Sequence, residues 1–289
     1  MKGIILSGGS GTRLFPITKA ISKQLIPIND KPMIYYPLST LMEGNIKEIL
    51  IISTPEDIES YKRLLGDGSQ IGLNISYEIQ PKPEGLSQAF IIGKKFIGDD
   101  SVCLILGDNV FCGKKINNLI SETIKVVENE RKASIFGYKV KNPQRYGVAE
   151  FDKNMNIISV EEKPKNPKSN YAIVGLYCYP NNVVNKVNDV IPSDRGELEI
   201  TSLNEIYLKE NILKIKLLED DFMWLDTGTH ESLAAAGNFV STIENREGIK
   251  VGCIEEIAFR KGWISKQDLK LNIKNLGDNQ YSKYLSSLL

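Results

Sequence analysis

Residues 2–13 read KGIILSGGSGTR. Its apolar run, GIILS, is typical of a buried parallel strand, and it ends at a cluster of glycines. A glycine-rich turn between a strand and a helix lets backbone N–H groups face an anion at close range. The stretch therefore predicts a strand followed by an anion-binding loop. The alternative is a tight turn that holds no ligand.

The glycine loop matches neither of two standard phosphate-binding motifs. A P-loop needs Gly-Lys-Ser/Thr, but Gly11 is followed by threonine and arginine, and Leu14 replaces the third glycine of the dinucleotide fingerprint. Arg13 and Lys23 nevertheless follow closely. A guanidinium fork suits phosphate oxygens, and an ammonium group is a mobile point charge. Several cations beside an amide nest indicate a polyphosphate, where charge must also be stabilised as a bond breaks.

Strand-like and helix-like segments alternate along the first half of the chain. The strand-like segments are GIILS, IKEILIIST, NISYEIQ, SVCLILGD and KASIFGYKV. This alternation predicts an α/β domain with a mostly parallel sheet and helices on both faces. After about residue 140, GVAEFDKNMNIISVEEKP alternates with period two around a turn, which predicts an inserted antiparallel hairpin. We expect a catalytic domain at residues 1–240 and a helical appendage at residues 241–289.

Composition excludes several classes of protein. The 289 residues include 36 Lys+Arg and 36 Asp+Glu, so the formal net charge is zero, which does not favour binding to nucleic acid or to a membrane surface. One histidine and four widely spaced cysteines make no zinc motif and are typical of reduced thiols. The sequence shows no signal-peptide pattern and no apolar run of membrane-spanning length, so we expect a soluble cytoplasmic protein.

Two aspartates follow apolar strand-like runs. Asp108 ends SVCLILGD and Asp226 ends FMWLD. Open α/β sheets bind their ligands at the carboxyl ends of strands, and Mg²⁺ takes one or two carboxylates together with waters and phosphate oxygens. Either aspartate alone could be an ordinary turn residue. Together with the anion loop they predict a metal-assisted phosphoryl-type reaction.

A third candidate segment is SVEEKPKNP. Alternation along a strand would place Glu161 and Lys163 on one face and Glu162 on the other. One interpretation is a solvated, charged strand end. The other is a carboxylate that binds sugar hydroxyls beside a lysine that binds a phosphate.

Several motifs occur in order from residue 1 to about residue 265, among them GGSGTRLFPIT, SKQLIPINDKPMIYYPLSTLM, QPKPEGLSQAF, LGDN, RYGVAEFD, EEKPKNPKSNYA, RGELEIT and WLDTGTH. Together they closely resemble the glucose-1-phosphate thymidylyltransferases, a branch of the sugar nucleotidylyltransferases. The resemblance implies a Rossmann-like nucleotidyltransferase fold with a mostly parallel mixed sheet. It also implies a reaction in which dTTP and α-D-glucose 1-phosphate give dTDP-glucose and pyrophosphate, with Mg²⁺ as cofactor. That reaction is the first step of dTDP-L-rhamnose biosynthesis.

The resemblance also assigns roles by position. Arg13 and Lys23 would stabilise charge on the transferring and leaving phosphates, and Asp108 and Asp226 would hold Mg²⁺. The nucleotide-binding set would be Leu6, Gly8, Gly9, Ser10, Gly11, Thr12, Gln24, Gln80, Pro83, Gly85 and Asp108, in which Gln80 and Gly85 read the pyrimidine. The sugar-phosphate set would be Asn109, Gly147, Glu162, Lys163, Val174 and Arg195, in which Lys163 and Arg195 bind the phosphate.

Regulation and assembly are implied in the same way. Members of the family are typically homotetramers, with a second nucleotide site near a subunit interface that binds an inhibitory dTDP-sugar end product. Candidate residues for that site are Lys250, Glu255, Glu256 and Arg260. The sequence departs from close relatives near the same interface, where Cys112 and Lys114 replace an aromatic residue and a histidine.

Three other functions stay open at this point. A UTP-dependent uridylyltransferase is the nearest, because a pocket distinguishes one methyl group by only about 10- to 200-fold. A glycosyltransferase of related fold would favour a D-x-D pair, whereas LGDN has one aspartate. A non-catalytic nucleotide sensor is the alternative from another class, and the joint presence of Arg13, Lys23 and the carboxylates disfavours it.

Overall fold

The computed structural model describes residues 1–9, 11–113, 115–219 and 221–289. Its strands are β1 (Lys2–Ser7), β2 (Pro27–Ile28), β3 (Lys31–Pro32), β4 (Glu48–Ser53), β5 (Asn74–Ile79), β6 (Val102–Leu106), β7 (Asn109–Cys112), β8 (Ala133–Lys139), β9 (Gly147–Phe151), β10 (Ile157–Glu162), β11 (Tyr171–Tyr179), β12 (Leu213–Leu217) and β13 (Met223–Asp226). Its helices are α1 (Tyr35–Glu43), α2 (Ile58–Leu65), α3 (Gln88–Ile92), α4 (Lys94–Ile97), α5 (Ile116–Glu130), α6 (Val183–Lys186), α7 (Ile200–Lys209), α8 (His230–Glu247), α9 (Ile254–Arg260), α10 (Lys266–Leu276) and α11 (Gln280–Ser287).

Most of the strands belong to one mixed sheet. β5, β4, β1 and β6 are parallel neighbours in that order, and β11 continues the sheet antiparallel to β6. β11 also pairs antiparallel with β8 and β9, β12 joins β8 in parallel, and β9 and β10 form an antiparallel hairpin. The predicted α/β fold with an inserted hairpin is confirmed.

The apolar run of β1 lies in the interior of the sheet and is buried on both faces. Ile4 and Ile5 are fully shielded from solvent. Because side chains alternate along a strand, Ile5 packs into one core with Leu38 and Leu41 of α1, whereas Ile4 packs into a second core with Phe90 of α3. A strand between two apolar layers needs a continuous apolar run, which explains why GIILS does not alternate with polar residues.

The order of the parallel strands creates a crevice. β1 pairs with β4 on one side and with β6 on the other, so the strand order reverses at β1. Loops that follow neighbouring strands at such a reversal diverge and leave a crevice at the carboxyl ends. The loops that follow β1, β5 and β6 begin at Gly8, Gln80 and Gly107, and they carry most of the predicted nucleotide-binding residues.

The C-terminal helices share the core of the sheet. Cys253 and Ile254, Leu269 of α10 and Leu285 of α11 pack in the same apolar core as Leu38 of α1. No described helix is long and apolar enough to cross a membrane. The division into residues 1–240 and 241–289 stays a prediction, and α8 runs through that point.

Two carboxylate–tyrosine pairs join α9 to α11. Tyr281 Oη donates to Glu255 Oε2 (2.6 Å), and Tyr284 Oη donates to Glu256 Oε2 (2.7 Å). Glu255 is buried, whereas Glu256 is partly exposed. Burial raises the pKa of the Glu255 carboxyl, and the Tyr281 hydrogen bond opposes that rise. The helix pair therefore contains one carboxylate that depends on a single tyrosine hydroxyl for much of its solvation.

Replacing Tyr281 by phenylalanine tests this dependence. We expect Tyr281→Phe to lower the free energy of unfolding by about 1–3 kcal/mol near neutral pH, because a buried acceptor loses its donor. The folded-state pKa of Glu255 lies above its unfolded value, so ionisation of Glu255 costs stability as the pH rises between those two values. The penalty should therefore be smaller at about pH 5 than at about pH 8 in urea unfolding experiments. Tyr284→Phe is the matched control and should show a smaller, pH-independent loss. Equal losses in both variants would show that Glu255 does not depend on the Tyr281 hydroxyl.

Candidate active site

Two adjoining cavities lie at the carboxyl ends of the parallel strands. The smaller, of about 250 Å³, is lined by Gly8, Gly9, Gly11, Thr12, Arg13, Leu14, Lys23, Gln24, Asp108 and Gly228. The larger, of about 450 Å³, has among its lining residues Arg13, Asp108, Asn109, Arg145, Gly147, Glu162, Lys163, Arg195, Trp224 and Asp226. Arg13 and Asp108 line both cavities. The predicted nucleotide and sugar-phosphate sets therefore meet at one cation and one carboxylate.

The glycine loop forms one wall of the smaller cavity. Gly9 and Gly11 have φ angles of +113° and +56°, a region that L side chains rarely adopt. A Cβ atom on Gly8 would lie 2.0 Å from Oε1 of Gln80, so no larger residue fits without displacing that side chain. A short 3₁₀ turn then begins at Thr12 and carries Arg13 into the junction of the cavities. The loop thus presents backbone and a guanidinium to the cavity, while Ser10 lies outside the described residues.

Lys23 and Asp108 form an ion pair at the floor of the smaller cavity. The Lys23 ammonium, whose residue is only 7% exposed, donates to Oδ2 of Asp108. Asn109 donates from Nδ2 to the other oxygen of that carboxylate at 2.8 Å. An ammonium group has three N–H donors, so this pair leaves donors available for phosphate oxygens. Gln24, buried nearby, accepts hydrogen bonds from Ser22 and Tyr61.

Asp226 lies beside Asp108 because β13 pairs with β7. In this ladder Asp226 is opposite Asn109. Burial raises the pKa of the Asp226 carboxyl, and the negative charge of Asp108 raises it further, whereas Lys23 and Arg13 lower it. Two carboxylates that oppose each other's ionisation are a suitable site for a divalent cation, which would relieve their repulsion.

The oxygen ligands fit Mg²⁺ better than zinc. Among the residues that the structure describes, no group of three or more histidine, cysteine, aspartate or glutamate side chains is placed to hold a metal ion. A cation here would be held by Asp108 and Asp226 and would complete its shell with water and substrate oxygens. Mg²⁺ binds in that way, whereas structural zinc takes four protein ligands, mostly cysteine and histidine.

Asn109 connects Asp108 to the sheet. It is 3% exposed, and its Oδ1 accepts from Nε1 of Trp224 (2.6 Å) and from the backbone N–H of Gly175 (3.1 Å). An indole N–H and a backbone N–H can only donate, so they determine which end of the Asn109 amide faces Asp108. Asn109 lines the larger cavity, and its amide also holds the Asp108 carboxylate in place.

The larger cavity brings together Glu162, Lys163 and Arg195, which are predicted to bind the sugar phosphate, and it is also lined by Glu197 and Glu199. Glu162 accepts from Thr201 Oγ1 at 2.5 Å and lies 3.1 Å from the ammonium of Lys163 and 3.6 Å from the guanidinium of Arg195. Arg195 also pairs with Glu199 at 2.7 Å. A Cβ atom on Gly147 would lie 3.1 Å from Thr201 Oγ1 and 3.4 Å from Glu162, so a small residue keeps this corner open.

Two predictions from the sequence concern the strands beside the larger cavity: the face on which Lys163 lies, and the place of Val174 in the sugar pocket. Glu161 and Lys163 were expected on one face of a strand, but β10 ends at Glu162 and Lys163 has a φ of +42°. The expectation is wrong because alternation stops where the strand stops: Lys163 contacts Glu162, whereas Glu161 pairs with Lys168. Val174 is fully buried in the core, while Ile173, Gly175 and Tyr177 line the cavity from the opposite face of β11.

Backbone hydrogen bonds join the segment predicted to read the pyrimidine to the segment that carries Arg195. Leu198 N donates to Glu84 O (2.7 Å), and Ser87 N donates to Leu198 O (3.0 Å). Gly85 has a φ of +104°, and a Cβ atom there would lie 2.5 Å from the backbone of Leu198. Pro83 is exposed at the tip of the same loop, and the side chain of Leu6 is buried below the cavities. The two substrate regions are therefore held in register by main-chain contacts.

The predicted regulatory residues are engaged in internal contacts. Lys250 pairs with Asp30 and with Glu244, Arg260 pairs with Glu43, and the two glutamates hold the tyrosines of α11. A separate cavity of about 630 Å³ is lined by Lys250, Cys112 and apolar residues of α8. Lys114 lies outside the described residues. The regulatory role of this region stays a prediction.

Comparisons with known sequences identify the family to which this chain belongs. The profile described as "Nucleotidyl transferase" matches residues 2–243. A glucose-1-phosphate thymidylyltransferase of Neisseria meningitidis is 53% identical over 289 residues, which cover 100% of this chain and 99% of the relative. The chain belongs to the glucose-1-phosphate thymidylyltransferase family. A second member, from Mycobacterium tuberculosis, is 50% identical over 289 residues, covering 100% of this chain and 99% of the relative.

Solved structures agree with this family. A Bacillus anthracis protein assigned to the glucose-1-phosphate thymidylyltransferases and solved with sucrose has a TM-score of 0.75 and 39% identity, covering 83% of this chain and 94% of that one. A UDP-glucose pyrophosphorylase solved with UDP-glucose has a TM-score of 0.73, 23% identity, and coverage of 83% and 98%. At that identity the second likeness shows the fold alone. The described sheet is thus the nucleotidyltransferase fold.

Sequence reasoning missed several residues that line or support the site. They are Gln88, Arg145, Trp224, Glu199 and Thr201. All five lie inside motifs that carried the family resemblance: QPKPEGLSQAF, RYGVAEFD, WLDTGTH and RGELEIT. The available signal was therefore membership of a motif, because none of the five is a carboxylate that directly ends an apolar strand or a cation that closely follows the glycine loop in the sequence.

The pKa of Asp226 tests the proximity of the two carboxylates. We expect the Asp226 carboxyl to titrate above the usual value of 3.8 and its pKa to fall in Asp108→Asn, because a neighbouring negative charge is removed. Infrared titration of protein with ¹³C-labelled aspartate measures this pKa, and the band lost in Asp226→Asn assigns it. An unchanged Asp226 pKa in Asp108→Asn would show that the two groups do not interact.

The Trp224 hydrogen bond gives a second test. Trp224→Phe keeps an aromatic ring against Tyr146 but removes the N–H that holds Asn109, so Asp108 should lose orientation. Removal of such supporting partners typically lowers activity by about 10- to 100-fold. We expect a loss of this size in kcat, with little change in the circular dichroism spectrum. Retention of full activity would show that the Asn109 amide needs no donor from Trp224.

Proposed function

We propose that the chain catalyses Mg²⁺-dependent transfer of the thymidylyl group from dTTP to α-D-glucose 1-phosphate, giving dTDP-glucose and pyrophosphate. Family membership supports the reaction, since the relatives named above are glucose-1-phosphate thymidylyltransferases. The structural observation that carries the proposal is the shared wall of the two cavities. Arg13 and Asp108 stand where a nucleotide in one cavity and a sugar phosphate in the other would meet.

The residues support an in-line displacement. An oxygen of the sugar phosphate attacks the α-phosphorus of dTTP, a new P–O bond forms, and the bond to the leaving pyrophosphate breaks. The nucleophile is already ionised at neutral pH, so no general base is required. Catalysis of such transfers comes mainly from positioning and from stabilisation of charge.

The charged residues divide this work by position. Lys163 and Arg195, on either side of Glu162, would hold the sugar phosphate while the carboxylate accepts from sugar hydroxyls. Arg13, at the junction, would neutralise charge that develops on the α-phosphate, and Lys23 would neutralise the leaving phosphates. Mg²⁺ held by Asp108 and Asp226 would supply further charge neutralisation on phosphate oxygens.

Assembly, regulation and location are part of the same proposal. We propose a homotetramer whose cavity beside Lys250 and Cys112 takes an inhibitory dTDP-sugar end product. Phe239 and Ile243 of α8 give this cavity an apolar wall, and Arg246 and Lys250 supply cations that could face phosphates. All four cysteines are free, which fits a cytoplasmic enzyme in a reducing compartment.

A nucleotide panel tests the reaction. Purified protein with Mg²⁺ and glucose 1-phosphate should release pyrophosphate with dTTP, and kcat/KM for dTTP should exceed that for UTP by up to about 200-fold. Lys23→Met should lower kcat by about 100-fold or more, because a cation at the leaving phosphates is lost. Lys19→Met is the matched control: it removes an exposed lysine of the neighbouring turn and should leave the rate within about twofold.

Two results would change the conclusion. A higher kcat/KM for UTP would make the chain a uridylyltransferase and would remove the thymine-reading role of Gln80. Absence of pyrophosphate release with every nucleotide and sugar phosphate would support the non-catalytic sensor.

A further inference from the structure

A short chain of hydrogen bonds lies behind the glycine loop. Gln80 donates from Nε2 to Oε1 of Gln88 at 2.6 Å. Gln88 donates from its own Nε2 to the carboxylate of Glu84 at 2.7 Å, and the backbone N–H of Glu84 donates to Oε1 of Gln88 at 3.2 Å. Gln80 and Gln88 are buried, at 3% and 8% exposure, whereas Glu84 is exposed at the rim.

The two groups at the Glu84 end have fixed polarity. A carboxylate at neutral pH can only accept a hydrogen bond, and a backbone N–H can only donate one. The amide of Gln88 therefore has one allowed orientation, with Nε2 toward the carboxylate and Oε1 toward the backbone N–H. Since Oε1 of Gln88 can only accept, Gln80 must turn its Nε2 toward Gln88. Exchanging the ends of either amide would place two acceptors or two donors against each other.

The remaining end of the Gln80 amide faces the glycine loop. A Cβ atom on Gly8 would lie 2.0 Å from Oε1 of Gln80, so this oxygen occupies the space above the loop. The oxygen of Gln80 therefore lies directly against Gly8, which lines the smaller cavity. The orientation of the Gln80 amide is determined by Glu84, acting through Gln88.

We propose that Gln88 is a positioning residue that, with Glu84, makes the site select a pyrimidine whose N3 carries hydrogen. The inference rests on the proposed function, in which Gln80 reads the pyrimidine edge. Thymine and uracil have an N3–H that the oxygen of Gln80 can accept. Cytosine has a lone pair at N3, which would face that oxygen with no hydrogen between them. A free Gln80 amide could turn over and donate to cytosine, and Gln88 prevents this rotation.

This role differs from general support of the fold. A residue that only packed behind Gln80 would, when replaced, reduce turnover of every nucleotide by the same factor. A residue that fixes the amide orientation changes the ratio between two nucleotides. The distinguishing readout is therefore kcat/KM for dCTP divided by kcat/KM for dTTP, each with glucose 1-phosphate.

Gln88→Met is the main variant, because methionine is close to glutamine in length and neither donates nor accepts strongly at its end. Gln80 can then rotate, so we expect the dCTP/dTTP ratio to rise at least about 10-fold, the value of one hydrogen bond gained or lost. Glu84→Gln changes an exposed side chain and should fold normally; it removes the carboxylate but keeps the backbone N–H that also orients Gln88, so the ratio should rise by a smaller factor. Glu78→Gln, an exposed glutamate of β5, is the control and should leave the ratio unchanged.

The outcomes separate the inference from the proposed function. If the wild-type protein turns over dTTP and both variants keep its dCTP/dTTP ratio, the positioning role is overturned and the proposed reaction stands. If the wild-type protein does not turn over dTTP, the proposed reaction fails, and calorimetric binding of dTTP and dCTP to the same proteins decides the inference. A raised dCTP/dTTP affinity ratio in Gln88→Met then supports it, and an unchanged ratio overturns it. Should Gln88→Met not fold, Glu84→Gln decides in the same way.

Discussion

The active site depends on one constraint: β1 is hydrogen-bonded on both sides and buried on both faces. Because β4 and β6 occupy its two edges, the loop that follows β1 must emerge beside the loop that follows β6. The two loops approach so closely that a Cβ atom on Gly107 would lie 2.5 Å from the hydroxyl of Ser7. That approach places the glycine loop against Asp108 and lets Lys23 reach its carboxylate. The crevice is therefore a consequence of strand order. The predicted catalytic side chains, Arg13 and Lys23, lie where this crevice opens.

Charge at the junction is balanced within the protein. Two cations, Arg13 and Lys23, face two carboxylates, Asp108 and Asp226, in a partly buried space where charges interact more strongly than in water. An uncompensated charge there would be costly, and each carboxylate therefore faces a cation. Phosphates and a divalent cation add negative and positive charge together, which preserves that balance. Under the proposed function, the nucleotide and the sugar phosphate would bring a counter-ion with them and so leave the charge of the two cavities balanced.

Hydrogen-bond polarity is the second organising feature, and it recurs on both sides of the crevice. Behind Asp108, an indole N–H and a backbone N–H orient Asn109. Behind the glycine loop, a carboxylate and a backbone N–H orient Gln88. In each case a group that can only donate or only accept determines the direction of an amide that could otherwise turn either way. A binding site whose recognition groups are side-chain amides needs such anchors. Rotating an amide by 180° exchanges its donor and its acceptor while its shape stays nearly the same.

The α/β class, the glycine loop and the aspartates at strand ends could be predicted from the residues alone, because they depend on local patterns: an apolar run, the glycines after it, and a carboxylate where a strand stops. Sequence reasoning was wrong about the face of Lys163, since period-two alternation holds only inside a strand and β10 ends one residue earlier. It did not identify Trp224 or Thr201, whose partners Asn109 and Glu162 come from other segments of the chain, nor Gln88, whose partner Gln80 belongs to the same segment. Which side chains share a cavity, and which way each amide points, follows from the folded structure alone, because those properties arise from contacts that the order of residues does not specify.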